Sequence, residues 1–204
     1  MPTDEEIDEQ EYGLTIDRDL IESRRVKPPS GEELRVFAYG SLMWRPDFPY
    51  IEIVPATLHG YHRAFCIRST HYRGTRQKPG LVLGLDRGGM CYGRMFRVAA
   101  QHAAEVADVL HAREMVTGVY EPRWLKLRIQ GGSLTTALGY VADRKHPQYA
   151  GKLAVAEIAR RIRGASGRSG SNIDYLRNTV RHLEDMGIHE CSLHQVLRQV
   201  ELGQ

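Results

Sequence analysis

The feature that most constrains the fold is a series of strand patterns separated by short, turn-like gaps. Leu125, Leu127 and Ile129 alternate with polar residues, and the alternation stops at residues 130–133, Gln-Gly-Gly-Ser. Alternation of this kind predicts a strand with one buried face, and the glycine-containing gap predicts a hairpin turn. Because a hairpin joins antiparallel strands, this part of the chain does not fit a regular βαβ sheet.

Most of the helix patterns follow later in the chain, after the strand patterns. Strands are expected at Leu34–Tyr39, Ala56–Ile67, Leu81–Leu85, Met90–Val98, Trp124–Ile129 and Leu134–Val141. Helices are expected at Gln101–Met115, Ala150–Ala165, Ile173–Met186 and Leu193–Leu202. A second hairpin turn is expected at residues 86–89, Asp-Arg-Gly-Gly. Hairpins followed by helices predict an α+β fold.

Bulk composition indicates an ordinary globular protein. The chain has 204 residues, of which 42% are hydrophobic and 26% charged, enough to bury a sizeable core. No run approaches the roughly 20 apolar residues of a membrane span, and the acidic start does not resemble a signal peptide. The three isolated cysteines, Cys66, Cys91 and Cys191, argue against a disulfide framework. We therefore expect a cytoplasmic protein with no membrane partner.

Charge is distributed unevenly along the chain. Residues 1–33 carry eleven acidic and four basic residues, and end near a Pro- and Gly-containing stretch at residues 27–31. This composition predicts an acidic N-terminal extension or linker that is mobile or loosely docked, followed by a domain at residues 34–204. The domain's excess of positive charge suits an anionic ligand. Its arginines form no long basic run, so we expect no nucleic-acid partner.

The first strand pattern stops abruptly at Gly40 and Ser41. A glycine at such a stop lets the chain turn without a Cβ in the way. Backbone N–H groups of the next residues are then free to form an anion-binding nest, which suits a carboxylate or a phosphate. The alternative is an ordinary strand followed by a tight turn.

A carboxylate falls on the apolar face of the helix pattern at Gln101–Met115. Val106 and Leu110 lie on this face, and Glu114 follows Leu110 by four residues. Burial of a carboxylate raises its pKa, so Glu114 is a candidate general base or acid. The alternative is that the helix frays and Glu114 either points to solvent or pairs with an arginine such as Arg113.

Gly164, Gly167 and Gly170 form a glycine-rich loop before a helix pattern. The spacing is compatible with phosphate binding, but the Gly-Lys-Ser/Thr ending of a P-loop is missing. We expect Ser171 or Asn172 to cap the helix instead.

An ordered set of motifs resembles the ChaC-type γ-glutamylcyclotransferases. The set begins with residues 39–44, Tyr-Gly-Ser-Leu-Met-Trp, and residues 113–115, Arg-Glu-Met, belong to it. The other matching segments are residues 60–66, 73–75, 79–85, 118–120, 149–151, 170–172, 175–176 and 178–179. The resemblance covers roughly residues 34–200 and leaves the acidic extension outside.

The resemblance implies a compact mixed α/β domain built around a small barrel-like sheet. It also implies cleavage of a small-molecule substrate, glutathione, to 5-oxoproline and cysteinylglycine, with no cofactor and no metal. The implied catalytic residue is Glu114. The implied substrate-binding residues are Tyr39, Gly40, Ser41 and Leu42, joined by Arg73 and Tyr149 from matching motifs.

Two other functions share these residues. One is a cyclotransferase for other γ-glutamyl amino acids or amines. The other is a non-catalytic γ-glutamyl-ligand sensor or regulatory subunit linked to cation transport, an association that the family's name suggests. The sequence implies no particular oligomeric state.

Overall fold

The computed structural model describes residues 12–203, which form two compact units. One contains residues 17–64 and 84–143 and is called the barrel unit here. The other contains residues 12–16, 65–83 and 144–203 and is called the helical unit.

Helices and strands are numbered along the described chain. The helices are α1 Arg18–Ser23, α2 Ala103–Glu114, α3 Val155–Gly164, α4 Asn172–Asp185 and α5 Cys191–Glu201. The strands are β1 Leu34–Ala38, β2 Glu52–Ser69, β3 Gly80–Val98, β4 Tyr120–Ile129, β5 Leu134–Ala142, β6 Ser166–Gly167 and β7 Gly170–Ser171. Short 3-10 helices cover Ser41–Met43 and Ala100–His102. Over residues 12–203, no helix has the length and apolar character that crossing a membrane requires.

The barrel unit contains a closed barrel with the strand order β1-β3-β2-β4-β5. β1 runs antiparallel to β3 and closes the barrel by a parallel pairing of Val36 with Leu138 of β5. This pairing joins the two strands that would otherwise be the edges of the sheet, and the side chains of Val36, Leu127 and Leu138 are completely buried. A mixed barrel with helices confirms the predicted α+β fold.

The predicted hairpin at residues 130–133 is confirmed. β4 and β5 pair antiparallel up to Arg128 and Leu134, and the N–H of Ile129 donates to the carbonyl of Ser133 at 2.9 Å. Gly131 and Gly132 have φ angles of +85° and +87°, a conformation that glycine adopts without a Cβ penalty.

The predicted hairpin at residues 86–89 is wrong, because β3 is one continuous strand from Gly80 to Val98. Gly88 and Gly89 do have positive φ angles, +98° and +72°. They deform the strand without reversing it, as glycines at a bulge do, and His62 of β2 lies against them with its Nδ1 3.0 Å from the Gly88 carbonyl oxygen.

Gly60, with φ of +85°, changes which residues of β2 are buried. Before it, the even positions Ala56 and Leu58 are buried. After it, burial moves to the odd positions, beginning with Arg63, which is only 2% exposed. An extra residue in a strand reverses the side-chain alternation in this way. Arg63 is therefore an inward-facing arginine.

In the helical unit, α3, α4 and α5 pack together through apolar side chains. Their buried apolar residues are Ala159, Ile162, Leu176, Val180, Leu183, Leu193, Val196 and Val200. The helix predicted from Ala150 begins only at Val155. The backbone N–H of Ala150 instead donates to the Cys66 carbonyl at 2.7 Å, and Gly151 has φ of +72°, which a helix cannot contain.

Ser171 is the N-cap of α4, since its hydroxyl accepts from the N–H of Asp174 at 3.1 Å. Asn172, the other predicted cap, is fully buried and pairs with the backbone of Leu81 through both amide atoms, at 2.7 and 2.8 Å. The glycine-rich loop forms the β6–β7 hairpin. A Cβ on Gly167 would lie 2.3 Å from the His71 carbonyl oxygen, so this glycine is required by packing.

His111 of α2 is a weak point in the barrel unit. The residue is 6% exposed and its Nε2 has no hydrogen-bond partner. Burial lowers the pKa of His111, and the nearby Arg25 lowers it further. Because the folded state holds His111 neutral, the contribution of His111 to the free energy of unfolding is fully present above the unfolded-state pKa of about 6.5. This contribution is lost as the pH falls below that value.

We therefore expect His111→Leu to raise the unfolding free energy by about 1 kcal/mol at neutral pH. The gain over wild type should grow between pH 7 and pH 5, measured by urea denaturation at each pH. His102→Gln, at a histidine with a 39% exposed side chain, is the control and should show no such growth. A variant that is less stable than wild type at both pH values would contradict this account of His111.

Candidate active site

The loop after β1 forms the first part of the site. β1 ends at Ala38, and the chain turns through Gly40 into a 3-10 helix. The hydrogen bonds of this turn begin with the N–H of Met43, which donates to the Gly40 carbonyl at 2.9 Å. These hydrogen bonds do not include the N–H groups of Ser41 and Leu42, because the first N–H groups of a helix have no carbonyl partner within the helix. These two amides are candidate donors for the predicted nest, which stays a prediction.

Arg63 holds the start of this loop from inside the barrel unit. Its Nε donates to the Tyr39 carbonyl at 2.5 Å, and its Nη2 donates to the Tyr92 carbonyl of β3 at 2.6 Å. A buried guanidinium is costly unless its donors are paired, so these bonds make Arg63 a firm anchor for Tyr39. Simple strand alternation does not predict a role for Arg63, and the signal that points to it is Gly60 three residues earlier.

Glu114 is the last residue of α2, and the helix does not fray before it. The Met115 N–H donates to the His111 carbonyl at 2.9 Å and completes the final turn. The Glu114 side chain is 17% exposed, and its Oε1 lies 3.4 Å from Nε of Arg113. The carboxylate is therefore both mostly buried, as its place on the apolar face predicts, and paired with Arg113, as the alternative predicts.

Arg113 connects Glu114 to the loop. Its Nη2 donates to the Ser41 hydroxyl at 3.1 Å, while Nη1 donates to the Arg45 carbonyl at 2.8 Å and to Asp47 Oδ2 at 2.9 Å. Ser41 and Glu114 are thus brought to the same guanidinium although they are distant in the sequence. Its five donors allow one arginine to bind all these acceptors.

The environment favours the protonated form of Glu114. Burial raises its pKa, and the positive charge of Arg113 offsets part of that increase. The buried phenol of Tyr140 has its own pKa raised, first by burial and then by the negative charge of Glu114. A carboxyl group with a raised pKa beside a neutral phenol is suited to take up and release a proton.

Arg73 and Tyr149 belong to the helical unit. The Arg73 guanidinium lies over the Tyr175 ring, 5.3 Å from its centroid, and its Nη1 donates to the Ser171 carbonyl at 3.3 Å. Tyr149 is bridged to Ile67 of β2, and its carbonyl accepts from Arg68 at 3.1 Å. Both residues have defined positions, and their contact with substrate stays a prediction.

Possible metal ligands are scattered. Among residues 12–203, no three His, Cys, Asp or Glu side chains are arranged to hold a metal ion. The three cysteines are free thiols, with Cys66 and Cys91 buried and Cys191 exposed.

Comparison with solved structures defines the class of the fold. A crystal structure of γ-glutamyl cyclotransferase specific to glutathione, from yeast, matches with a TM-score of 0.77. The match covers 83% of this chain and 96% of that chain at 22% sequence identity. The fold is that of a γ-glutamylcyclotransferase.

Sequence comparison identifies the family. The model for ChaC-like proteins matches residues 34–202. The glutathione-specific gamma-glutamylcyclotransferase of Escherichia coli (strain K12) is 37% identical over 166 residues, which cover 81% of this chain and 72% of that protein. The Schizosaccharomyces pombe protein of the same name is 33% identical over 195 residues, covering 84% and 95%. The chain belongs to the ChaC-like family, which confirms the resemblance seen in its motifs.

Proposed function

We propose that this protein is a glutathione-specific γ-glutamylcyclotransferase. The observation that carries the proposal is the Arg113 guanidinium, which holds the buried carboxyl of Glu114 beside the Ser41 loop. Relatives named for this activity, at 33–37% identity over most of the chain, support the choice of substrate.

The proposed reaction needs no nucleophile from the protein, because the substrate contains its own. The α-amine of the γ-glutamyl group attacks the γ-carbonyl carbon of the same group and forms a five-membered ring. The bond from that carbon to the cysteine nitrogen then breaks, giving 5-oxoproline and cysteinylglycine. Counted from the α-ammonium of the substrate, two protons leave the attacking nitrogen and two join the departing nitrogen, which becomes the ammonium of cysteinylglycine, so the step is balanced without water.

Glu114 is the proposed acid and base. The α-ammonium of the substrate has a pKa on the order of 8, so a base must take its proton before the nitrogen can attack. A carboxylate with a raised pKa takes a proton from the attacking nitrogen and returns it to the departing nitrogen, and two such transfers, one before the attack and one after it, complete the step. Burial of Glu114 supplies the raised pKa.

Residues 39–42 are the proposed binding site for the γ-glutamyl group. The N–H groups of Ser41 and Leu42 would bind the α-carboxylate and fold the substrate so that its amine meets its γ-carbonyl. Such positioning can supply about 7 kcal/mol of barrier reduction. Arg73 and Tyr149 are proposed as further substrate contacts.

Substrate comparison tests the proposal. Purified protein is given glutathione, γ-glutamyl dipeptides and γ-glutamyl amines, and kcat/KM is measured for each by 5-oxoproline formation. We expect glutathione to have the highest value. A higher value for another γ-glutamyl compound would favour the broader cyclotransferase, and binding in calorimetry without turnover would favour the sensor.

Arg113 predicts a change in the pH profile. Its cation lowers the pKa of Glu114, so Arg113→Met removes a lowering influence and leaves burial to raise the pKa further. Because Glu114 must be deprotonated to act as a base, the acidic limb of kcat/KM should move to higher pH. Arg113→Lys keeps a positive charge and should move the limb less.

The matched control is Arg128→Met, which removes an exposed arginine from β4 and should leave the limb in place. An acidic limb that stays where it is in Arg113→Met, or moves to lower pH, would contradict the assignment of the limb to Glu114.

We further propose that residues 34–204 form the catalytic domain and that the protein works in the cytoplasm. The free thiols of its three cysteines are consistent with a reducing compartment.

A further inference from the structure

Residues 17–25, called the brace segment here, lie before the region that the family model matches. They include α1, whose first turn is capped by Asp17, since Oδ1 accepts from the N–H of Leu20 at 2.8 Å. The segment belongs to the barrel unit. Its composition predicts a mobile or loosely docked extension, but the segment makes specific contacts that a freely mobile linker would lack.

Arg24 makes the strongest of these contacts. Its Nη1 donates to the carbonyls of Gly118, at 2.9 Å, and Tyr120, at 3.3 Å. Its Nη2 donates to Asp143 Oδ2 at 2.7 Å, and the Arg24 and Asp143 side chains are 18% and 11% exposed. The backbone N–H of Asp143 in turn donates to the Val119 carbonyl at 2.9 Å. The backbone of residues 118–120 is therefore held in place by hydrogen bonds to its three consecutive carbonyl groups.

Ile21 adds an apolar contact at the same place. Gly118 has φ of +75°, and a Cβ placed on it would lie 3.2 Å from Cγ1 of Ile21. Arg25 makes an exposed contact with α2, where its Nη1 lies 2.6 Å from Asp108 Oδ1, and we assign it no positioning role. The brace segment thus contacts both α2 and the chain that leaves α2.

The held residues follow Glu114 closely. Glu114 ends α2, and Gly118 comes four residues later, after a turn in which its N–H donates to the Met115 carbonyl at 3.3 Å. A carboxylate at a helix end is oriented by the backbone on both sides of it. The helix fixes one side, and Arg24 fixes the other through Gly118 and Tyr120.

We propose that the brace segment positions Glu114 and that Arg24 is the positioning residue through which it acts. This inference rests on the proposed function of Glu114. It assigns the acidic N-terminal extension a role in catalysis, although the extension lies outside the family's own domain.

Kinetics of Arg24→Ala test the proposal. Acid–base catalysis depends on sub-ångström placement, so we expect kcat to fall about 10- to 100-fold. KM should stay within about twofold, since Arg24 is not among the residues proposed to bind substrate. Arg24→Lys, which restores one charged donor, should recover part of kcat. A merely structural role would lower the melting temperature and leave kcat per folded molecule unchanged, which would overturn the proposal.

Arg25→Ala is the matched control on the same segment. Arg25 pairs with Glu22 and Asp108 at the surface, where ion pairs contribute little. Its kcat should stay within about twofold of wild type. An equal loss of kcat in Arg25→Ala and Arg24→Ala would overturn the specific role of Arg24.

Hydrogen exchange tests the contacts of the brace segment independently of the proposed function. In Arg24→Ala, amide exchange should speed up in the peptide covering residues 115–120, with little change in β4–β5 pairing beyond it. If wild type forms no 5-oxoproline but this local change appears, the proposed function fails and the brace contact stands. Unchanged exchange at residues 115–120 would overturn the brace itself.

Discussion

Replacing Glu114 by glutamine is expected to reduce kcat for glutathione by about 10²- to 10⁴-fold, the usual contribution of a positioned acid or base. Glutamine has nearly the same shape as glutamate, so the end of α2 keeps its packing. It cannot take a proton from the substrate ammonium or return one to the leaving amine. Binding of glutathione should change little, since the loop at residues 39–42 is the proposed binding site for the γ-glutamyl group.

Turnover is measured by 5-oxoproline formation, and binding by calorimetry on the same preparations. Glu105→Gln is the control, because Glu105 lies on the same helix with a side chain that is 73% exposed. It should retain wild-type kcat. A Glu114→Gln enzyme with turnover close to wild type would remove Glu114 as the acid and base.

Replacing Arg63 by methionine is expected to cost about 3 kcal/mol of stability, because the Tyr39 carbonyl, in a buried hydrogen bond, and the Tyr92 carbonyl, in a partly buried one, lose their donor. For a chain of this length, that loss corresponds to a fall in melting temperature of about 6–12 °C. Catalysis should suffer as well, because Tyr39 begins the loop that we propose binds the γ-glutamyl group.

A second destabilised variant separates loop position from stability. Leu127→Ala removes a fully buried side chain from the barrel and is expected to cost about 2–5 kcal/mol. At a temperature where both variants are folded, kcat/KM should fall much further in Arg63→Met than in Leu127→Ala. Equal values in the two variants would show that Arg63 has no role beyond stability.

Local patterns predicted those parts of the molecule that short-range physics determines. The hairpin at residues 130–133 follows from alternation and a Gly-Gly turn, and Ser171 follows from helix capping. Helical spacing predicts Glu114 as a candidate acid or base, because it places this residue on the same face as Leu110. The sequence predicts the pairing of Glu114 with Arg113 only as an alternative to burial. In the structure, the Arg113 guanidinium lies at the edge of the buried region, so Glu114 is both mostly buried and paired.

Glycines with positive φ were the main source of error. The same Gly-Gly pair that makes a hairpin at residues 131–132 makes a deformed but continuous strand at residues 88–89. The local sequence is nearly the same, and pairing with distant strands decides between the two outcomes. Gly60 acts similarly, because its bulge turns Arg63 inward against the simple alternation of β2.

Arg24 was beyond prediction for a different reason. Its partners at Gly118, Tyr120 and Asp143 are two backbone carbonyls and a carboxylate more than 90 residues away. Carbonyl acceptors leave no mark in the sequence, and the surrounding residues are those of an acidic linker. Only the tertiary structure brings the segment to the end of α2.

The central claim is that the substrate's own amine, helped by Glu114, cleaves glutathione. The most direct test is to incubate wild-type protein with glutathione in oxygen-18 water and to analyse the products by mass spectrometry. The account predicts equimolar 5-oxoproline and cysteinylglycine, with no oxygen-18 in either, and formation of both products about 10²- to 10⁴-fold slower with Glu114→Gln. Glutamate labelled with oxygen-18 would show that water, and not the α-amine, attacks the γ-carbonyl, and would contradict the account.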